Sequence, residues 1–323
     1  MAGRGLVVIA LGGNAIAPAG TPGTATEQRE NIGLAMRPVA SLVEEGWQVV
    51  LTHGNGPQVG NLLVKNELAR DVVPPMPLDW CVAQTQATVG HTIANTLEVH
   101  LERHAREHMV VPLTSRVLVD GADPAMSNPS KPIGRWLTDR ATVRRLESEG
   151  QRFVHDDERG WRRVVPSPEP RQSLELDAIR ALLDIGAVVV ANGGGGVPTI
   201  RTDDGQLVGV EAVIDKDLAG AVLARELGAA VYVILTDVPG VAIRYGHDDE
   251  RWLTAVTPRE LRRHQQAGEF RAGSMAPKVE AVCRFVDSTG GRAAIASLDH
   301  AAGAVHGDVG TQVTAVTARQ AAV

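Results

Sequence analysis

Three lysines stand where the sequence can do chemistry. Lys131 lies in SNPSKPIG (127–134), Lys216 in VEAVIDKDLAG (210–220) and Lys278 in GSMAPKVEA (273–281). They are far apart in the chain, yet each stands on a turn framed by glycine or proline. Pro129 and Pro132 flank the Lys131 segment. Proline fixes its own φ, lacks the N–H donor and drives the preceding residue out of the helical region. The segment therefore predicts a stiff loop, neither helix nor central strand, presenting one positive charge. Pro277 suits the first turn of a helix. That places Lys278 near the positive end of a helix dipole, a conflict that a nearby anion would resolve. Lys216 is flanked by Asp215 and Asp217, between a strand-like run and a helix start. A helix N-cap role for Asp217 and a solvated surface role for Lys216 are the ordinary alternatives. A phosphoryl group in transit spreads negative charge over its equatorial oxygens, so its transfer needs positioning and cations. Several lysines held by an aspartate suit that work, and no protein nucleophile is required.

Glycine turns at strand ends point the same way. LGGN (11–14), HGNGPQ (53–58) and NGGGG (192–196) each close a Val-, Leu- or Ile-rich run. In open parallel sheets, ligands bind outside the carboxyl ends of the strands. Glycine lets backbone approach a ligand closely, and bare N–H groups at helix starts bind anions. None of the three turns fits the dinucleotide fingerprint or GxxxxGK[ST], which disfavours a dehydrogenase and an ordinary P-loop kinase. There is no Ser/His/Asp motif and no HExxH zinc motif. The 10 histidines show no ligand spacing, and only His53 stands on a glycine turn. Cys81 and Cys283 match no metal or redox spacing and read as small buried hydrophobes.

The elements that must position these groups alternate along the chain. Strands are expected at LVVIAL (6–11), WQVVLTH (47–53), MVVPLTS and RVLVD (109–120), AVVVAN (187–192), AAVYVILT (229–236) and RAAIAS (292–297). Helices are expected at 26–45, from Leu78 to His104, and at 174–186, 217–227, 257–268 and 278–290. Alternation of this kind means a mostly parallel, three-layer α/β sheet. Residues 121–170 break the pattern, being rich in Pro, Arg and Asp, with short strand candidates such as RRVVP (162–166). They predict an inserted subdomain or flap, since a structureless loop of that length is foreign to a compact domain. With 44% hydrophobic but only 3% aromatic residues, the core of this 323-residue chain must be mostly Ala, Val, Leu and Ile. A net charge of −6 argues against nucleic acid as the main partner. No apolar stretch is long enough to span a bilayer and the N-terminus shows no signal-type cleavage pattern, so a cytoplasmic protein is expected.

Taken in order, ALGGNA (10–15), THGNGPQVG (52–60), DPAMSNPSKPIG (123–134), GWRRVVPSPEP (160–170), ANGGGGVP (191–198), GVEAVIDKDLA (209–219), ILTDV (234–238), GSMAPKVEA (273–281) and GDVGT (307–311) resemble carbamate kinase, of the amino acid kinase superfamily. GGN is shared across that superfamily, whereas NPSKPIG, GWRRVVPSP and VEAVIDKDLA are far more specific. The resemblance implies a single αβα sandwich over residues 1–323 with an open, mainly parallel sheet. Its N-terminal half would bind the phosphoryl acceptor and its C-terminal half the nucleotide, with a protruding flap at about 121–170. It implies reversible phosphoryl transfer between ATP and carbamate, giving ADP and carbamoyl phosphate, with Mg²⁺. It further implies a homodimer that works towards ATP in arginine or purine-nitrogen catabolism.

Roles follow from the resemblance position by position. Gly12, Gly13 and Asn14 would hold oxygens of the transferring group, and Gly54 and Asn55 would frame the carbamate side. Lys216 and Lys278 would neutralise the β- and γ-phosphates, with Asp217 orienting them. Lys131 would swing in on the flap to meet the carbamate or the phosphoryl group. Ile234 to Asp237, including Thr236, together with Tyr245 and Met275 would line the nucleotide pocket. No protein metal ligand is assigned. Two departures stand out: Ala276 where relatives carry glycine, and Met126 with Arg135-Trp136 where relatives carry flap aromatics. A kinase for another small carboxylate or phosphonate, and a non-catalytic sensor, are the competing readings. NPSKPIG argues against the first, and the retained lysines with Asp217 argue against the second.

Overall fold

The computed structural model describes residues 4–18, 21, 23–101, 108–271 and 273–316. The side chains of Asn14 and Ala15, and the predicted helix end at 102–104, lie outside the described residues.

The first half of the chain sets down β1 (Leu6–Leu11), α1 (Gly13–Ile16), α2 (Ala25–Glu44), β2 (Gln48–His53), α3 (Gly56–Ala69) and α4 (Leu78–Leu101). Thr24 opens α2 with a capping box: its hydroxyl accepts from the Glu27 N–H while the Glu27 carboxylate accepts from the Thr24 N–H. Then follow β3 (Val110–Pro112), β4 (Arg116–Leu118), α5 (Pro124–Ser127), β5 (Lys131–Leu137), α6 (Arg140–Ser148), β6 (Arg152–Asp156), β7 (Gly160–Val165) and β8 (Gln172–Ser173). The second half comprises α7 (Leu176–Asp184), β9 (Val188–Val190), β10 (Val197–Arg201), β11 (Leu207–Gly209), α8 (Lys216–Leu227), β12 (Val231–Thr236), β13 (Val241–Ile243) and β14 (Arg251–Leu253). It ends with β15 (Ala255–Val256), α9 (Pro258–Gln266), α10 (Met275–Thr289), β16 (Arg292–Ser297), α11 (Ala301–His306) and β17 (Thr311–Val313).

Eight strands form the main sheet in the order β15-β17-β16-β12-β1-β2-β9-β3. All neighbours are parallel except β16 and β17. Successive strand side chains point to opposite faces, and here both faces are apolar. Val7, Ile9 and Leu11 join α2, α4 and α11 in one buried cluster. Leu6, Val8 and Ala10 join α7, α8, α9 and α10 in the other. That double burial explains why β1 reads as a continuous apolar run and gives the three layers expected from the sequence.

Residues 131–165 form a separate three-stranded sheet, β5-β7-β6, with α6 beside it. The expected stiff loop at Lys131 is corrected here. Lys131 and Pro132 are the first residues of β5, paired with Val165 and Val164. A proline is tolerated there because β5 is an edge strand. Two further boundaries differ. α10 starts at Met275, three residues before the helix start expected at 278. RVLVD leaves the main sheet: β4 pairs instead with β10 and β8.

Candidate active site

The sheet order brings the carboxyl ends of β1, β2, β9 and β12 side by side, and the glycine turns follow. The Gly12 N–H donates to Leu235 O at 2.8 Å, and the Gly54 N–H donates to Leu11 O at 2.9 Å. The first two turns touch backbone to backbone. A Cβ on Gly54 would lie 2.6 Å from Gly13 N and 3.1 Å from the Lys216 side chain. Glycine is required at 54 for want of space. At 194 it is also required by conformation, since Gly194 has a φ of +66° and packs under the Asn55 amide. The Asn55 amide donates to Thr85 Oγ1 at 2.8 Å, which holds this turn on α4.

The lysines meet at the N-terminus of α8. Asp215, not Asp217, is the N-cap: its Oδ1 accepts from the Asp217 N–H at 3.0 Å and the Leu218 N–H at 3.3 Å. Asp217 is thereby released from capping and is only 2% exposed. Its Oδ1 accepts from Lys216 Nζ, and its Oδ2 from Lys278 Nζ at 3.1 Å. Lys131 reaches over from the flap sheet, and its Nζ donates to Asp215 Oδ2 at 2.7 Å. Three ammonium groups therefore share two carboxylates, leaving the cluster positive at a helix end that already favours anions. The Tyr232 hydroxyl, on β12, donates to the Asp217 carbonyl at 2.8 Å and pins the first turn of α8 to the sheet.

Burial sets the electrostatics. Desolvation pushes the Asp217 carboxyl up, but Lys216 and Lys278 outweigh it, and the net shift is below the usual carboxylate range. Desolvation, with Lys278 nearby, brings Lys216 below the usual lysine range despite Asp217. His53, at the end of β2, is pushed down to about 4, chiefly by burial and further by Lys216, against the opposing bond to the Gly54 carbonyl. It is a neutral wall beneath the turns, packed against Gly193, where a Cβ would strike its Nε2.

The structure thus joins Gly12, Gly13, Gly54, Asn55, Lys131, Lys216, Asp217 and Lys278 in one place. The nucleotide candidates are more dispersed. Ile234 is wholly buried inside β12. Thr236 closes β12, and its hydroxyl donates to Asp237 Oδ1 at 2.9 Å. Met275 opens α10, three residues before Lys278. Tyr245 follows β13, its ring edge-on to Trp252 at 6.1 Å and 53% exposed. Ala276 packs against the core beneath α10. In the flap, Trp136 lies under the guanidinium groups of Arg159 and Arg162. Sequence reasoning gave Asp215 no role beyond flanking Lys216. An Asp immediately before a helix start is the expected N-cap signal, and it was there to be used.

The sequence profile of the amino acid kinase family matches residues 5–297. The chain is 47% identical to the carbamate kinase of Thermococcus kodakarensis over 310 residues, covering 95% of this chain and 98% of that one. Identity to the carbamate kinase of Pyrococcus furiosus is 46% over 310 residues, with the same coverage. Among solved structures, the carbamate kinase of Giardia lamblia bound to AMP-PNP matches with a TM-score of 0.89 and 38% identity, covering 97% of this chain and 99% of that one.

Proposed function

Because this chain belongs to the carbamate kinases of the amino acid kinase family, we propose that it transfers a phosphoryl group reversibly between ATP and carbamate. The observation that carries this reading is the convergence of Lys131, Lys216 and Lys278 on Asp215 and Asp217, beside two touching glycine turns. In the direction of ATP, a β-phosphate oxygen of ADP attacks the phosphorus of carbamoyl phosphate. The bond from phosphorus to the carbamate oxygen breaks, and carbamate leaves with the electron pair. The mixed anhydride is a better donor than ATP, which favours this direction in arginine or purine-nitrogen catabolism.

The residues divide the work. The backbone N–H of Gly13, in the turn it forms with Gly12 and Asn14, holds oxygens of the transferring group, and Gly54 and Asn55 frame the carbamate. Lys216 and Lys278 bind phosphate oxygens with the N–H donors that Asp217 leaves free, and that carboxylate fixes the spacing between them. Lys131 is stored on Asp215, and an incoming anion competes for it as the flap closes. Thr236, Asp237, Tyr245 and Met275 lie towards the nucleotide, in keeping with the Giardia lamblia relative bound to AMP-PNP. Among the described residues no group of three His, Cys, Asp or Glu converges as a metal cage, and the Asp217 carboxylate is already bonded to two lysines. Mg²⁺ bound with the nucleotide's phosphates would supply further charge neutralisation there. The proposed reading is completed by a cytoplasmic homodimer acting on small molecules rather than nucleic acid, in keeping with the net charge of −6; no helix among the described residues is long and apolar enough to cross a membrane.

The test is ATP formation from ADP, Mg²⁺ and carbamoyl phosphate, with acetyl phosphate as the control donor. Rapid synthesis that prefers carbamoyl phosphate supports the reading. Folded protein that binds ADP but makes no ATP would refute it.

A further inference from the structure

The Asn55 side chain ends in a planar amide whose nitrogen donates and whose oxygen accepts. Which end faces the substrate is a chemical choice, and Thr85 on α4 makes it. The Thr85 hydroxyl donates to the Val82 carbonyl at 2.7 Å, and a carbonyl can only accept. With its one hydrogen spent, the hydroxyl offers Asn55 only lone pairs. It accepts from Asn55 Nδ2 at 2.8 Å, so the nitrogen end is turned to α4 and the oxygen away from it.

Packing fixes the rest. Gly194 lies flat against the amide, and a Cβ there would strike it. That glycine turn is anchored in its own right: the Asn192 N–H donates to Ser115 Oγ at 2.6 Å, and the Ser115 N–H donates to Gln86 Oε1 at 2.8 Å. Consecutive residues of α4 thus hold the plate beneath the amide and the nitrogen at its edge, and each is 2% exposed. A half-turn that exchanges nitrogen and oxygen would keep the amide flat on Gly194, so the plate does not prevent it. The Thr85 hydroxyl does, because it would then face an oxygen with no hydrogen between them at a buried site.

The other threonines of α4 mark the difference. Thr88, Thr92 and Thr96 each donate to the carbonyl four residues back. Thr85 differs in accepting from another element as well. Asn55 Oδ1 accepts from no group among the described residues, and it is not one of the side-chain atoms sealed away from solvent. Asn55 borders a cleft of about 410 Å³ between α3 and the flap. The carbamoyl group carries an NH2 that such an oxygen could bind. An acetyl group carries a methyl of similar size there and has no donor.

We infer that Thr85 is a positioning residue for substrate choice: it fixes the Asn55 amide with its oxygen towards the acceptor side, where that oxygen takes a hydrogen bond from the carbamoyl NH2. The inference rests on the carbamate kinase reading and deepens it, tracing the preference for carbamoyl over acetyl to a side chain that touches neither. A site that hydrogen-bonds a substrate N–H rejects the analogue lacking it far more strongly than an apolar pocket rejects a methyl.

The experiment compares two non-reacting phosphonates of one shape, phosphonoacetamide with its NH2 and acetonylphosphonate with a methyl in that place. Their Ki values are measured against carbamoyl phosphate during ATP formation, with the KM for ADP alongside and circular dichroism as the check on folding. Wild type comes first; if it makes no ATP from carbamoyl phosphate, the family reading fails before this one is tested. If it does, phosphonoacetamide should bind roughly 10- to 100-fold more tightly than acetonylphosphonate. Equal Ki values in an active wild type overturn the proposal. Thr85→Val keeps the shape without the acceptor, and should reduce that ratio roughly tenfold by weakening phosphonoacetamide. The Ki of acetonylphosphonate and the KM for ADP should stay within about threefold, since neither ligand uses the oxygen. A merely structural role would weaken both phosphonates together. Thr85→Ser keeps the hydroxyl and should keep the ratio. Thr85→Cys, with only a weak thiol acceptor, takes the place of Thr85→Val should that variant not fold, and should lower the ratio in the same sense. A ratio unchanged in folded Thr85→Val or Thr85→Cys overturns the proposal, and so does its loss in Thr85→Ser.

Discussion

At the scale of single residues, the site is a balance of buried charge. Lys131→Ala, Lys216→Ala and Lys278→Ala should each lower turnover by roughly 10²-fold or more, the usual cost of losing one preorganised charge contact. Steady-state ATP formation and circular dichroism together check this, since near-normal turnover in a folded variant would remove that lysine's role. His53 carries a second expectation. Its native pKa of about 4 lies below the ordinary histidine value of 6.5, so between those pH values the unfolded chain binds more protons than the native one. Stability then rises with pH through that window and is lost as pH falls. The total is about 3 kcal/mol, of which about 2 kcal/mol falls between pH 7 and pH 5. Urea unfolding at both pH values should show that loss in wild type and its absence in His53→Gln. For Asp217 the shift is also downward. As a carboxylate, it adds stability that is present above its unfolded pKa and disappears in acid as pH falls through the native one.

At the scale of elements, turns and caps hold the chemistry. A methyl on Gly54 would strike the backbone of Gly13, which cannot swing aside as a side chain can. Gly54→Ala should therefore cost about 1–3 kcal/mol and most of the activity, measured by thermal melting and turnover. The cap of α8 separates two functions of Asp215. Asp215→Ala loses the cap and should destabilise by about 1 kcal/mol. Asp215→Asn keeps a capping oxygen and should stay within about 0.5 kcal/mol of wild type, while both variants release Lys131. Equal stability of the two variants would show that the cap contributes nothing.

At the scale of the whole molecule, the flap is joined to the main body by the packing of Ile133 and Val165 against Val59, Leu78, Cys81 and Val82, and by several polar contacts. Arg70 on the body pairs with Glu149 of the flap, and Arg145 of the flap pairs with Glu67 on α3. Arg163 and Lys131 reach Glu211 and Asp215. Surface pairs of this kind contribute about 0.2–1 kcal/mol each. A Glu67→Gln/Glu149→Gln double variant should speed amide exchange in β5, β6 and β7 about two- to fivefold, leaving β1 and β12 unchanged. Acceleration spread evenly over the main sheet would mean that the flap is not a separate unit of opening.

What the sequence determined by itself is local or periodic. Continuous Val-rich runs between helical patterns specify a doubly covered parallel sheet, because each strand must bury both faces. Glycine at strand ends and lysine on framed turns specify an anion site at the sheet edge. What tertiary structure decided depends on contacts that no short window of sequence contains. Lys131 opens a strand because β7, some thirty residues on, pairs with it and leaves Pro132 on an edge. Helix α3 was missed because its start is hidden in the glycine turn that precedes Pro57. Three lysines separated by 85 and 62 positions meet at two aspartates only once β1, β12 and α8 are packed together. Their meeting is fixed by long-range register, and register is set by which faces find burial in the folded chain.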